Sequence, residues 1–415
     1  MKNKITLFIC LILIASMIFT GCSSSVNLME GIKPNNEIGV MRQMDEKFNQ
    51  AILNFTWNMF KESSSNEGNL MISPISAYFA LAMAANGADG DTKTEMMKAL
   101  SAENVPLDDL NKGLNYWMNT ITKDRIAKFS ITNSIWYREG FKANKDFLQA
   151  NADYYSAYIR SLDFTQKSAP DTINRWVKEA TNDKIDKIVG EINDDLVMYI
   201  NNAIYFNGDW KYEFSANKTR KESFNAPSGK VETDFMSRRG KMDYLEFNGV
   251  TGVILPYLDE QFAFVGLLPE EGETPKDIIN NLTVLDLINL MKNKEEKNIE
   301  LSIPKFEVSY EDSLINELSN MGMKLPFEPY SADFSKMNES GEKDLFIGEI
   351  KHKTYIRVDE KGTEAAAVTS IGVEATSMPV EFPRLTFDRP FVYGIVDVTT
   401  GIPLFIGIME NPAVK

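Results

Sequence analysis

The spacing of apolar residues along the chain predicts helices mainly in its first half. In the segment that ends at Lys61, apolar residues recur every three or four positions, as they do along one face of a helix. Residues 76–86 carry no charge, which predicts a helix that is largely buried. Thr92 and Glu95 have the spacing of a capping box at the start of another helix. Helices are predicted on these grounds at residues 41–61, 76–86, 145–160 and 171–181.

Beyond about residue 196 the pattern changes to short apolar runs that are typical of strands. These runs are rich in β-branched and aromatic residues and are bounded by Gly, Pro, Asn and Asp. Only residues 275–297 and 311–322 keep a helical pattern in this half. No internal repeat or shift in composition marks a second domain, so we predict one α+β body over residues 40–415. The strand runs lie at 197–206, 252–256, 262–268, 299–303 and 391–398.

The rarest residue types limit the chemistry that this body can carry. The 415 residues include one histidine, His352, and two cysteines, Cys10 and Cys22, which lie near the N-terminus. The sequence also lacks the common zinc-protease, P-loop, dinucleotide and hydrolase motifs. We therefore expect no metal site and no cofactor. The net charge of −15 argues against a nucleic acid as partner, because such proteins normally carry a basic surface.

The first 21 residues are typical of a signal peptide. A basic start precedes an uncharged run over residues 5–20, which is short for a membrane span. Phe19-Thr20-Gly21-Cys22 resembles a bacterial lipobox, in which Cys22 becomes the lipidated first residue of the mature chain. An ordinary secretion signal and an uncleaved anchor are the alternatives, and each places the body outside the cytoplasm. Residues 22–39, with several Ser, Asn and Gly, are predicted to be a tether that holds the body off the membrane.

A segment of small residues near the C-terminus carries a resemblance to a known family. It reads Val358-Asp359-Glu360-Lys361-Gly362-Thr363-Glu364-Ala365-Ala366-Ala367 and resembles the hinge of the serpins. Other segments similar to serpin sequences follow in the family's order and at roughly its spacing. They are NLMISPIS at 69–76, NAIYFNGDW at 202–210, IPKF at 303–306, ADF at 332–334, FDRPF at 387–391 and PLFIG at 403–407.

The resemblance implies a fold with three β-sheets, about nine helices and an exposed reactive-centre loop. It also implies a monomeric inhibitor with no catalytic residue of its own. A serine protease would attack the loop and form an acyl-enzyme, after which the cut loop would insert into the main sheet and trap the protease. A non-inhibitory member that acts as a binding module, or an inhibitor of cysteine proteases, is the alternative.

The predicted loop has the pattern that insertion as a central strand demands. Residues 363–376 contain no Pro, and every second residue from Thr363 onward is uncharged, whereas both acidic residues, Glu364 and Glu374, fall on the other face. The eight residues from Gly362 to Thr369 are small or β-branched apart from Glu364. One face of the strand could therefore be buried while the other stays in water, which favours an inhibitory member.

The bond that a protease would attack can be located by counting along the loop. In the family the residue before the scissile bond is the seventeenth when the hinge glutamate is counted as the first, which from Glu360 gives the bond Thr376-Ser377. Counting back from the FDRPF segment suggests a bond nearer Met378 or Pro379, but strand insertion fixes the hinge distance. No Lys or Arg occurs between Lys361 and Arg384, so trypsin-like targets are not expected. Small and branched residues before the bond favour an elastase-like or subtilisin-like protease.

Two further groups of residues are assigned by the resemblance. Serpin strands part over a polar cluster called the shutter, and the matching residues here are Ser73, Ser76, Asn202 and His352. Trp210 matches a tryptophan of the breach, the region beneath the hinge where insertion starts. From sequence alone, Ser73 before Pro74 is equally an N-terminal helix cap, and Trp210 equally a core residue.

Overall fold

The computed structural model describes residues 25–35, 46–123, 126–192, 196–363 and 382–414, with the backbone alone at residues 130, 202 and 203. Within these ranges nine α-helices occur, in agreement with the expected number. They are α1 (Glu46–Ser63), α2 (Pro74–Ala85), α3 (Gly90–Ala99), α4 (Leu107–Thr122), α5 (Lys145–Tyr155), α6 (Ala169–Ala180), α7 (Pro275–Asn281), α8 (Val284–Lys292) and α9 (Ile315–Asn320).

Sixteen strands are present in the same described ranges, most of them in the second half of the chain. They are β1 (Val26–Asn27), β2 (Leu70–Ile72), β3 (Lys128–Arg138), β4 (Tyr158–Leu162), β5 (Met198–Asp209), β6 (Arg220–Ala226), β7 (Gly229–Phe247), β8 (Val250–Pro256), β9 (Phe262–Leu268), β10 (Glu295–Pro304), β11 (Phe306–Ser313), β12 (Ile350–Val358), β13 (Gly362–Thr363), β14 (Arg384–Thr386), β15 (Phe391–Asp397) and β16 (Pro403–Met409).

The strands form two continuous hydrogen-bonded sheets. The first has seven strands in the order β1-β4-β3-β5-β13-β12-β11, and the second has nine, β14-β10-β7-β8-β9-β15-β16-β2 with β6 beside β7. The 19-residue strand β7 pairs with β10 along one edge, and along the other with β6 at its start and β8 at its end. The expected α+β fold is confirmed. The described strands form two continuous sheets where the resemblance implies three, because the long strand β7 pairs with β6 at its start and with β8 at its end and so joins two sheets into one.

The uncharged helix α2 lies in the middle of the core, as the sequence predicts. All twelve of its residues are buried, and it packs against α1, β5 and β16. Pro74 occupies the first turn of the helix, where a missing backbone N–H costs no hydrogen bond. A helix without a polar face can only be stable when it is covered on all sides. This helix therefore supports the seven-stranded sheet from within.

Two local sequence predictions are wrong in detail. Thr92 and Glu95 do not form a capping box, because α3 already begins at Gly90 and both side chains bond to distant backbone N–H groups. The Thr92 hydroxyl accepts from Asp333, and the Glu95 carboxylate accepts from Lys324 and Leu325. The helix predicted over 145–160 ends at residue 155, because Ser156 adopts a left-handed backbone conformation that stops it.

The predicted tether is attached to the body along residues 25–35. Strand β1 adds to the edge of the first sheet, with Val26 opposite Ser161 of β4. Leu28, Met29 and Ile32 are partly buried against the core. These apolar contacts fix the segment to the body, although its polar composition predicts a free linker. Residues 1–24 and 36–45, including the predicted signal peptide and Cys22, lie outside the described residues. No helix among the residues that the structure describes has the length and apolar content needed to span a bilayer.

Candidate functional site

The site lies at the end of the seven-stranded sheet where the hinge enters. Over residues 350–353, β12 is a direct parallel neighbour of residues 200–203 of β5. At the other end of these strands β13 lies between them, because Thr363 pairs with Val358 on β12 and with Gly208 on β5. Strands β5 and β12 are therefore paired directly at one end over four residue pairs. At the other end they are separated by the two residues of β13, which runs antiparallel to both.

Glycine is required at Gly362 because two backbones meet there. A Cβ atom on this residue would lie 2.1 Å from the Gly208 carbonyl oxygen and 2.8 Å from the Asp209 Cα. No L side chain tolerates such contacts without moving β5. Gly362 thus allows β13 to lie beside β5 at this close distance.

Trp210 lies directly beneath the hinge, as the resemblance implies. Its indole N–H donates to the Asp359 carbonyl at 2.8 Å, and its backbone N–H donates to the Lys361 carbonyl at 2.7 Å. The indole also stacks on Tyr257, with the ring centroids 4.7 Å apart. The Tyr257 hydroxyl is in turn 2.6 Å from the hydroxyl of Thr363. The buried pair of rings therefore supports the hinge from below, and Tyr257 was not predicted from the sequence.

Glu360 fixes the hinge to the neighbouring sheet by its side chain. One carboxylate oxygen lies 2.8 Å from Lys305 Nζ, and the other accepts from the Thr219 hydroxyl at 2.7 Å. Burial acts to raise the pKa of Glu360, but the hydrogen bonds from Lys305 and Thr219 outweigh it and lower the pKa. The backbone carbonyl of Glu360 also accepts from the Phe214 N–H. Glu360 is thus held as a carboxylate. Lys305 lies in the IPKF segment, the only sequence signal for its role.

The rest of the predicted hinge and the reactive bond lie outside the described residues. This applies to Glu364, Ala365, Ala366, Ala367, Thr376 and Ser377, whose roles remain predictions. On either side of these residues, Thr363 and Pro383 are held by backbone hydrogen bonds. Thr363 lies within the first sheet, and the Pro383 carbonyl accepts from the Glu300 N–H on β10.

Two of the predicted shutter residues are in direct contact in the core. The Ser73 backbone N–H donates to Nε2 of His352 at 3.0 Å, and His352 is 1% exposed. The Ser73 hydroxyl accepts from the Ser76 N–H at 3.4 Å and caps α2, so the two roles considered for Ser73 coexist. Asn202 faces His352 in backbone register between β5 and β12. The structure therefore brings all four residues to the closed part of the sheet.

Thr354, which no sequence pattern indicated, is also part of this polar region. Its hydroxyl donates to the Met71 carbonyl at 2.7 Å, in a fully buried contact between β12 and β2. Thr354 lies two residues beyond His352, so both side chains point from β12 to the core. The Thr354 contact ties β12 to the second sheet.

His352 is held neutral by its surroundings. Burial lowers its pKa from 6.5 to about 4, and the carboxylate of Asp312, its neighbour on β11, opposes this only in part. Since Nε2 accepts a hydrogen bond, a proton there would face the Ser73 N–H, donor against donor. Nδ1 has no partner among the described side chains. Protonation is therefore unfavourable in the closed sheet.

Acid is expected to weaken the fold through His352. The unfolded chain takes up a proton below pH 6.5 and the folded chain only below about 4, so stability falls as the pH drops between these values. The loss should reach about 2 kcal/mol at pH 5. Urea denaturation at pH 7.5, 6.5 and 5 measures it. His352→Gln should flatten this dependence, and an equally steep dependence in the variant would contradict the assignment.

Nothing among the described residues indicates a metal site. No group of three or more His, Cys, Asp or Glu side chains in the described ranges is arranged to hold an ion. The polar residues of the site instead bond to backbone groups and to one another across strands. This arrangement suits a sheet that opens and closes.

Comparison with known proteins agrees with this geometry. A family model described as serpin (serine protease inhibitor) matches residues 50–412. A serpin-like protein of Thermococcus kodakarensis is 33% identical, over 91% of this chain and 89% of its own, and the leukocyte elastase inhibitor of Xenopus tropicalis is 30% identical, over 88% and 100%. The crystal structure of a thermophilic serpin, tengpin, in the native state superposes with a TM-score of 0.88 at 38% identity, over 94% of this chain and all of that one. The chain therefore belongs to the serpin family.

Proposed function

We propose that this serpin is a suicide inhibitor of extracellular serine proteases. Serpins are in general protease inhibitors that act as monomers, and what distinguishes an inhibitory member is a loop that can enter the main sheet. The observation that carries the proposal is the hinge, with Gly362 and Thr363 already paired between β5 and β12. A cut made beyond this point would leave a strand free to continue in the same direction.

The register at the hinge specifies where each loop residue would lie after insertion. Thr363 pairs with Val358 and Gly208, so an antiparallel strand continuing from it would bring Ala365 between Ile356 and Phe206. In the same register Thr369 would lie between His352 and Asn202. The even-numbered residues of β12 are buried, so the uncharged odd-numbered loop residues would face the core. The alternation predicted from sequence thus matches the sheet that would receive it.

The expected free energy is sufficient to trap a protease. Inserting about 15 residues would add on the order of 15 ladder hydrogen bonds, after the four pairs between β5 and β12 are replaced. At about 0.5–1.5 kcal/mol each, the gain is of order 10 kcal/mol, similar to the stability of a typical domain. The native state is then a kinetic trap whose lifetime depends on a barrier.

The target class follows from the residues around the proposed bond Thr376-Ser377. A trypsin-like protease binds a basic side chain in its specificity pocket. The loop offers no such side chain, because neither Lys nor Arg occurs between Lys361 and Arg384. The threonine and alanine before the bond suit a shallow pocket, such as that of an elastase-like or subtilisin-like enzyme. The similarity to a relative named as an elastase inhibitor supports the same class.

We further propose that the protein acts outside the cytoplasm. The lipobox-like sequence ending at Cys22 supports lipidation and attachment to a bacterial membrane, and cleavage as an ordinary signal would release the body instead. In both cases the inhibitor would meet secreted proteases.

A protease panel tests the proposed function. The chain is incubated separately with pancreatic elastase, subtilisin, trypsin and papain, and each mixture is boiled in detergent and resolved on a gel. We expect a covalent complex with elastase or subtilisin, and a released fragment whose mass places the cut at Thr376-Ser377 or an adjacent bond. Trypsin should give no complex.

Each other outcome of the panel has a definite meaning. Cleavage by every serine protease without a complex, and without a gain in thermal stability of the cut chain, would support a non-inhibitory binding module. A complex with papain alone would indicate an inhibitor of cysteine proteases. Trapping of trypsin alone would contradict the proposed reactive bond.

A further inference from the structure

The segment 25–35 is attached to the body at both of its ends. At its start, the Arg160 guanidinium donates to the Ser25 carbonyl at 2.7 Å, and the Leu28 N–H donates to the Ile159 carbonyl. At its end, the Asn35 N–H donates to the Asp153 carboxylate at 2.7 Å, and the Lys33 carbonyl accepts from Gln149. Eleven residues that could have been a flexible linker are therefore fixed on the edge of the first sheet and on α5.

This attachment lies at the end of the sheet opposite the hinge. Val26 pairs with Ser161 on β4, which is level with Tyr137 on β3 and hence with Met198 at the start of β5. The hinge pairs with Gly208, ten residues further along β5, which corresponds to about 33 Å at 3.3 Å per residue. The two features are thus separated by nearly the full length of a strand.

The direction of the chain increases this separation. Because β1 runs antiparallel to β4, going back from Asn27 to Ser25 leads toward Leu162, at the end of β4 that lies away from the hinge. Cys22 is three residues before Ser25, and three residues span at most about 11 Å. A lipid on Cys22 would therefore hold this end of the sheet close to the bilayer surface.

We infer that residues 25–35 orient the membrane-anchored inhibitor, with the breach and the reactive loop pointing away from the lipid surface. The inference rests on the proposed lipidation of Cys22. A short anchor on a fixed strand restricts the body to one orientation, whereas a free tether of residues 22–39 would allow many. The chain's net charge of −15 opposes adsorption to anionic lipid through another face. A soluble protease then reaches the loop without approaching the membrane.

Energy transfer to the bilayer tests the orientation. Lys167, exposed just after β4, and Lys221, exposed on β6 two residues from Thr219, mark the two ends of the body. The variants Lys167→Cys and Lys221→Cys make the same chemical change, and no other cysteine follows Cys22. Each full-length lipidated protein is labelled with a donor dye and reconstituted in phosphatidylcholine–phosphatidylglycerol vesicles that contain acceptor-labelled lipid.

We expect severalfold higher transfer efficiency from residue 167 than from residue 221. An insertion of about 20 Gly/Ser residues between Ser24 and Ser25 should remove the difference, since the body could then rotate freely. Equal transfer from the two positions without the insertion, or higher transfer from 221, would overturn the inference. Recovery of the mature chain in the aqueous phase of a detergent partition would overturn it as well. Trapping of elastase by a soluble chain that begins at Ser23 tests the inhibitory function separately.

Discussion

Under the proposed function, replacing Ala365 with aspartate is expected to make the protein a substrate of elastase that no longer traps the enzyme. Insertion in the register set by Thr363 would bring residue 365 between Ile356 and Phe206, which are 1% and 3% exposed. Burying an unpaired carboxylate there costs several kcal/mol, and each 1.4 kcal/mol slows insertion about tenfold. Hydrolysis of the acyl-enzyme would then precede trapping. The moles of inhibitor consumed per mole of elastase inactivated should rise at least about tenfold.

Ala366→Asp is the matched control for this prediction. Residue 366 would face outward on insertion, opposite Tyr355, which is half-buried and has the Lys184 ammonium 5.6 Å from its ring centre. Its other neighbour would be Tyr205, which is 9% exposed. A carboxylate on this face has the Lys184 ammonium nearby, unlike one at residue 365, so this variant should trap elastase better than Ala365→Asp. If both variants trap equally well, or if Ala366→Asp fails and Ala365→Asp does not, the insertion register is wrong.

Replacing Glu360 with lysine is expected to loosen the hinge of the uncleaved inhibitor. The change removes the contacts with Lys305 and Thr219 and brings two ammonium groups together. The Glu360 side chain is 15% exposed and that of Lys305 32%, so the cost should be about 1–3 kcal/mol, less than for a fully buried pair. We expect a lower urea midpoint and a faster loss of elastase inhibition on heating.

A charge exchange provides the control for this second prediction. The single change Lys305→Glu should destabilise the protein to a similar extent, because it brings two carboxylates together. The double variant with Lys305→Glu and Glu360→Lys restores opposite charges, and the Thr219 hydroxyl can accept as well as donate. The double variant should therefore recover most of the lost stability. A double variant no more stable than either single one would show that the ion pair does not hold the hinge.

Elements whose residues are all buried, or alternate regularly, could be predicted from the sequence. The uncharged run of α2 and the apolar strand β9 are examples, because burial on all sides leaves a continuous apolar pattern. Elements that depend on distant partners could not be predicted. Thr92 and Glu95 fit a local capping pattern, yet they bond to backbone groups more than 200 residues away. Residues 25–35 do not form the predicted tether, because their few apolar side chains pack on a surface that only the folded body presents.

The residues of the candidate site likewise fall into those that could be predicted from the sequence and those that could not. The hinge, Trp210 and His352 were found through family resemblance, because their segments are contiguous and distinctive. Tyr257, which stacks on Trp210, lies in a segment that matched no family pattern. Thr219 is 141 residues from the carboxylate it binds, and its neighbours in sequence give no sign of that contact. Cross-strand partners depend on register, and register is set by the whole sheet.

The two hinge residues in the sheet also bear on the kinetics of trapping. Bringing a loop end to the centre of a sheet has an entropic cost, which normally precedes the first favourable contact. In this protein the start of the loop already lies in the sheet, since Thr363 is paired with both neighbouring strands in the uncleaved chain. In the proposed mechanism, strand growth after cleavage would therefore be a propagation step without a separate nucleation step. Its slowest part should be the parting of the four direct pairs between β5 and β12, which include the pair formed by His352 and Asn202.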